Sequence, residues 1–291
     1  MSIDPRLAVA IARFHADRPA AVGGHFDVDT VDHDALATWA GGSRDGRPSV
    51  GSGRTDPEHT DPEHTDPEHA DPEHADDIVQ VGLAVGVAEG AYDGDVRVRE
   101  LAGRGDIGIG TLQGLDGEMV VVDGEFFSVG PDGAARAADP DALVPFAVLA
   151  HLTVADELTI DAPVDRDAFE DRLRASLPDP DGCYAIRVDG RFGPVRFRSV
   201  RRQEPPYRPL ADVLAVDQHV FEVEALDATM VGFCFPEDAA DLDFPGFHLH
   251  MVSTDRRQGG HVFDFTVHQA TATIGHCHAV HVELAAVSSA R

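Results

Sequence analysis

Hydrophobic and polar positions alternate most regularly late in the chain, where Gly246-Phe-His-Leu-His-Met-Val-Ser253 reads as a β-strand. The period of two puts His248 and His250 on one face and Phe247, Leu249 and Met251 on the other. Residues 253–260 carry turn chemistry (Ser, Asp and paired Gly), and 261–267 reads as a return strand. A hairpin of this shape brings His261 back toward the His248/His250 pair, on a face presented outward from a packed strand. Three imidazoles converging from rigid strands, with no obvious fourth protein ligand, make the donor set of a catalytic zinc site with an open position. The same alternation also fits two surface histidines on an amphipathic strand and an unrelated third.

Other elements follow from pattern. Ile78-Val-Gln-Val begins a globular stretch, 96–102 reads as a short helix, and 105–113 leads into strands. Met119-Val-Val-Val-Asp-Gly-Glu-Phe-Phe-Ser-Val129 carries Asp123-Gly124 at its centre, the turn signature of a hairpin. A strand is expected over 144–154 and a helix over 167–176. Leu177-Pro-Asp-Pro-Asp-Gly182 is a break that joins two halves. Beyond it, strands are expected at 183–188, 195–200, 230–235, 247–252, 262–267 and 270–274. Strands predominate without regular strand–helix alternation, so the expected class is α+β, two sheet-based halves spanning about 78–177 and 178–291.

The first 77 residues read differently. Helical spacing occurs over 5–16 and 34–40, but the glycine-rich segments around them have linker composition, so 1–54 is expected to be a poorly ordered extension. Residues 55–77 hold four tandem pentads, Asp-Pro-Glu-His followed by Thr twice and by Ala twice. Each unit carries two acids and a proline and no large apolar residue, which is the composition of a solvated, disordered linker.

Composition narrows the chemistry. The 291-residue chain has 52 acidic and 23 basic residues, a formal net charge of −29, and all 23 basic residues are arginine. Self-repulsion of that size is best tolerated in concentrated salt, so the chain is read as salt-adapted, with neither a nucleic-acid nor a membrane partner. Without lysine, Schiff-base catalysis and covalently held pyridoxal phosphate are excluded. Three dispersed cysteines and an N-terminus without a basic start point to a cytoplasmic protein.

Three further motifs deserve weighing. Gly103-Arg-Gly-Asp-Ile-Gly108 matches a dinucleotide fingerprint, but a helix precedes it and strands follow, the reverse of what the fingerprint needs. His276-Cys-His-Ala-Val-His281 is a rival metal motif, in which His276 and His278 share a strand face. Glu118 follows a turn and precedes a valine-rich strand, and Arg198 alternates with apolar neighbours as an anion clamp would.

Taken together, Gly105-Asp-Ile-Gly-Ile-Gly-Thr111, Leu115-Asp-Gly-Glu118, Asp123-Gly-Glu-Phe-Phe127, Arg198-Ser-Val-Arg-Arg-Gln-Glu-Pro-Pro-Tyr207, Gly246-Phe-His-Leu-His250 and Gly259-Gly-His-Val-Phe-Asp-Phe265 resemble the alpha-acetolactate decarboxylase family. The resemblance runs in order from 78 to 274. It implies Zn²⁺ held by His248, His250 and His261, an active-site Arg198, and Thr111 and Glu118 near the metal. It also implies decarboxylation of acetolactate to acetoin and CO₂ through a zinc-stabilised enediolate, with acetolactate as the small-molecule partner and a homodimer left open as the assembly. The family further uses a glutamate from a C-terminal tail. Glu283 is the only acid after Asp264, and the chain ends at Arg291 with no position aligned to that glutamate. Two other readings remain: a cupin-like oxygenase or isomerase, with Asp255 following the His248/His250 pair, and a catalytically degenerate metal-binding protein.

Overall fold

The computed structural model describes residues 76–240 and 242–284. The helices expected over 5–16 and 34–40, the extension and the pentad repeat lie outside the described residues.

The described chain opens with β1 (Ile78–Val81) and a short helix, α1 (Ala84–Ala88). A ribbon strand β2 (Val96–Arg97) runs into α2 (Val98–Leu101), then β3 (Ile107–Thr111). β4 (Glu118–Val122) and β5 (Glu125–Val129) form the expected hairpin, whose turn residues Asp123 and Gly124 take φ of 56° and 74°. Positive φ at both central positions is what a tight turn matching strand twist requires. β6 (Ala135–Ala137), β7 (Leu143–Val144), β8 (Phe146–Ala150), β9 (Asp156–Ile160) and β10 (Val164–Asp165) follow. The longest helix among the described residues, α3 (Arg166–Ser176), starts where the Asp165 carboxylate caps it by accepting from the Ala168 amide. β11 (Cys183–Val200), α4 (Leu210–Asp217), β12 (Gln218–Val223) and β13 (Leu226–Phe235) lead to β14 (Gly246–Ser253), β15 (Gly259–Cys277) and β16 (Val280–Glu283).

The α+β, sheet-dominated class stands, with differences in detail. The strands expected at 183–188 and 195–200 are one 18-residue strand, and those at 262–267 and 270–274 are one 19-residue strand. Gly193-Pro194 does not end β11, because shifts of register absorb it while pairing continues on both sides. The strand expected over 144–154 is split by Pro145, which has no amide hydrogen for the ladder, and ends at Ala150.

One sheet has the order β16-β1-β8-β3-β4-β5-β6. In the other, β11 pairs β13, β13 pairs β14, β14 pairs β15 and β15 pairs back to β11, so the pairing closes into a ring. Phe247, Leu249 and Met251 join Phe169 and Leu173 of α3 in one apolar core. A second core lies between the sheets, where Ile109, Val120 and Phe146 pack with Val200, Val231 and Phe233. Helices α1 and α4 add Val87, Leu210 and Leu214 to it.

An ion pair ties α3 to the ring. Arg166 donates to Glu170 one helical turn away and to the Phe263 carbonyl, and both charged residues are buried. Glu170→Ala leaves the guanidinium buried without its carboxylate and is expected to cost about 3–5 kcal/mol. Urea unfolding measures this, and a loss below about 1 kcal/mol would show that the pair behaves like a surface one.

Candidate metal and active site

Strand register builds the site. His250 and His261 are direct partners across β14 and β15, and Arg198 of β11 is the direct partner of His261. Direct partners share a sheet face, so these side chains form a row across three strands, with His248 two residues along on the same face. The row depends on an irregularity. Arg196 pairs with Asp264 but Phe197 pairs with Val262, leaving Phe263 as an extra residue in β15. Unbroken register would set Arg198 against Val262, which belongs to the α3-facing core; the bulge moves it one residue, to His261. Gly260 permits the close approach, with φ of +146° and the Arg198 carbonyl oxygen 2.4 Å from where a Cβ would stand.

The histidine face does look away from the core around Phe247 and Leu249. It meets the first sheet there, not solvent. His248, His250 and His261 are 4%, 2% and 4% exposed, so the expectation of an outward-presented face is corrected: a second layer covers it. Ring centroids lie 5.1 Å apart for His248–His250, 5.1 Å for His248–His261 and 5.3 Å for His250–His261. One ligand nitrogen from each lies within 4.8 Å of the others.

His248 and His250 each have their Nδ1 engaged. His250 Nδ1 donates to the Met119 carbonyl at 2.8 Å, and His248 Nδ1 lies 3.2 Å from Asp243 Oδ1. This leaves Nε2 of each for a ligand role, the arrangement by which metal-binding histidines are usually oriented. Burial, reinforced by the neighbouring His248, holds the His250 imidazole well below its ordinary pKa, so it stays neutral and its lone pair stays available. The donor set therefore fits a metal ion.

The first sheet supplies the facing wall. Thr111 and Glu118 are direct partners on β3 and β4, and Glu118 Oε2 lies 3.6 Å from His250 Nε2. Burial pushes the Glu118 carboxyl up to about 7, an effect the Arg198 guanidinium partly offsets. Thr111 is buried, and its hydroxyl donates to the Gly117 carbonyl at 2.7 Å, which fixes the turn leading into Glu118. Thr111, Glu118, Arg198, His248 and His250 line one cavity, closed on its apolar side by Val87, Leu115, Leu210, Leu214 and Phe244.

Residues singled out elsewhere in the sequence stand apart. Asp255 is exposed in the β14–β15 turn and accepts from Ser253 Oγ, so it does not join the histidines as a cupin-type acid would. His276 and His278 do share a face, with centroids 4.8 Å apart, but His276 stacks on Tyr184 and His281 engages Asp77. Among the described residues, His248, His250 and His261 are the one set of three that converges closely enough for a metal. Glu283 lies on β16 beside Val81, 45% exposed and ion-paired with Arg104, outside the cavity. Gly103–Gly108 follows α2 and runs into β3, the order that excludes the dinucleotide motif.

Sequence reasoning missed Asp243, the Met119 carbonyl and the apolar wall. Asp243 lies in an acid-rich run with Glu237, Asp238 and Asp241, where nothing local distinguishes it. The wall comes from α1, α4 and the loops that carry Leu115 and Phe244, segments far apart in the chain, and the sequence pattern shows neither helix.

No helix among the described residues is long and apolar enough to cross a membrane. The family model for alpha-acetolactate decarboxylase matches residues 78–290. The alpha-acetolactate decarboxylase of Klebsiella aerogenes is 36% identical over 212 residues, covering 73% of this chain and 81% of the relative. That of Bacillus subtilis is 38% identical over 197 residues, covering 68% of this chain and 77% of the relative. The crystal structure of alpha-acetolactate decarboxylase from Bacillus subtilis strain 168 aligns with a TM-score of 0.71 at 35% identity, over 73% of this chain and 90% of that one. A fold this similar, the extent of the shared sequence and the buried histidine triad lead to one assignment: the chain belongs to the alpha-acetolactate decarboxylase family and is a carboxy-lyase.

Proposed function

We propose that this protein converts 2-acetolactate to acetoin and CO₂ with Zn²⁺ held by His248, His250 and His261. The observation that carries the reading is the convergence of the three buried imidazoles, two of which line one cavity together with Arg198 and Glu118. Loss of CO₂ breaks the bond between the carboxylate carbon and the hydroxyl-bearing carbon, leaving an electron pair conjugated with the neighbouring ketone. When bound, Zn²⁺ supplies Lewis-acid polarisation of that ketone, worth several kcal/mol of charge stabilisation.

The chain's own residues do the rest. Arg198, 2% exposed and always charged, binds the substrate carboxylate and fixes which bond is presented for cleavage. Glu118 holds a proton near neutral pH because burial has raised its pKa to about 7, and its Oε2 delivers that proton to the carbon left behind. Thr111 holds the turn that aims Glu118. Val87, Leu210, Leu214 and Phe244 exclude water and face the substrate methyl groups.

The test is acetoin formation from racemic acetolactate in concentrated salt, on protein whose metal content has been assayed. Turnover with about one zinc per chain supports the reading; turnover in protein stripped of all metal overturns it. A second reading, a metal-binding member without turnover, has one observation behind it: Glu283 is ion-paired with Arg104 and stands outside the cavity. Zinc binding without acetoin formation would establish that reading.

The match begins at residue 78, so a chain starting at residue 76 is expected to keep the full-length kcat/KM in the same salt. A loss of more than about tenfold, 1.4 kcal/mol, would assign the preceding residues a part in catalysis.

A further inference from the structure

We propose that Asp243 is a positioning residue for the metal centre, holding His248 through its Nδ1–H and supplying negative charge that balances a bound divalent cation. This rests on the reading of the triad as a zinc site.

Asp243 lies in the loop that enters β14 and is 0% exposed. Its Oδ1 lies 3.2 Å from His248 Nδ1 and accepts from the Phe244 amide at 2.7 Å. Its Oδ2 is equally buried and has no hydrogen-bond partner. The Phe244 ring meets the His248 ring edge-on, with centroids 5.7 Å apart and planes at 78°. Two successive residues therefore clamp one imidazole, a carboxylate at Nδ1 and an aromatic ring beside it.

This places the His248 proton on Nδ1 and directs Nε2 toward the other two histidines. It also explains an otherwise costly arrangement. A carboxylate taken out of water is expensive unless a positive charge is close, and a half-satisfied polar group is worse than none. Among the described residues no arginine bridges to Asp243; its salt-bridge partner is His248, whose ring would pass the carboxylate's influence to a cation on Nε2. The contrast with His250 is informative. Its Nδ1 is tied to the neutral Met119 carbonyl, whereas the Nδ1 of His248 faces a carboxylate; the carboxylate near His250, Glu118, lies on its Nε2 side. A carboxylate behind a ligand histidine raises its basicity as well as fixing its orientation.

The experiment measures zinc dissociation constants of the full chain by competition with a chromogenic chelator, for the native protein, Asp243→Asn and Asp243→Ala. Thermal unfolding of each metal-free form is run alongside. Asn keeps an acceptor for both His248 Nδ1–H and the Phe244 amide while removing the charge; Ala removes both. Asp243→Ala is expected to bind zinc about 10–100-fold more weakly, and Asp243→Asn to fall between it and the native protein. Cobalt(II) in place of zinc gives the spectroscopic readout: the visible bands of Asp243→Ala should shift while those of Asp243→Asn stay close to native. Zinc constants unchanged in both variants would overturn the proposal, even if Asp243→Ala lowers metal-free stability, since that outcome describes only a loop cap. If Asp243→Ala does not fold, Asp243→Asn decides the matter, with a native constant counting against the proposal. Failure of the native protein to bind zinc would instead overturn the zinc reading itself.

Discussion

Replacing His250 with alanine is expected to abolish both metal retention and acetoin formation. His250 sits at the centre of the site, the direct β-partner of His261 and two residues from His248 on one strand face. Its Nδ1 is anchored on the Met119 carbonyl, and burial keeps the ring neutral, so no proton competes for Nε2 at neutral pH. On the proposed zinc reading, removing it would leave two ligands, too few for a three-histidine arrangement that keeps one coordination position open for substrate. Since the metal's Lewis-acid contribution is several kcal/mol and each 1.36 kcal/mol is tenfold in rate, turnover should fall about 1000-fold or more. The measurement pairs metal analysis with acetoin production, and circular dichroism of the metal-free protein shows whether the sheet survives. Native turnover by folded, metal-free His250→Ala protein would sink the metal mechanism.

Arg198→Ala should show the opposite split, zinc retained and kcat/KM reduced about 100–1000-fold, the usual loss when a buried donor facing developing charge is removed. Arg198 is 2% exposed, stands opposite His261 and lines the same cavity as Glu118 without being a metal ligand. Arg198→Lys keeps the charge but not the planar pair of donors, so it should restore only part of the loss. The variant has a second signature. Because the guanidinium offsets the effect of burial on Glu118, removing it should move that carboxyl further upward, and the pH dependence of kcat/KM should shift toward alkaline values. Unchanged kinetics in Arg198→Ala would remove this residue from the site.

Much of the site was legible along the chain because β-strands convert alternation into faces. Period two alone places His248 with His250, and the Ser-Asp-Gly-Gly turn returns His261, so the triad is visible in about fifteen consecutive residues of local pattern. The Asp123-Gly124 turn is likewise local, and the hairpin it predicts is present, as is the helix expected over 167–176. The cupin reading was as local as the triad, but Asp255 lies out in the turn, and the shared family settles against it.

The sequence by itself determined the class of fold, the three histidines, the exclusion of lysine chemistry and the family. Each depends on residue identity, on spacing within one element or on motifs in order. Only the tertiary structure decided that the histidine face is covered, that Phe263 bulges so Arg198 meets His261, and that Asp243 stands behind His248. It also decided that Glu283 lies at a sheet edge and not in the cavity. The reason is physical. A bulge is set by the register of two strands pairing over long stretches, and burial is set by which sheet packs against which face. A carboxylate's partner depends on where a loop closes. None of these is an attribute of a short stretch of chain, so no local pattern carries them.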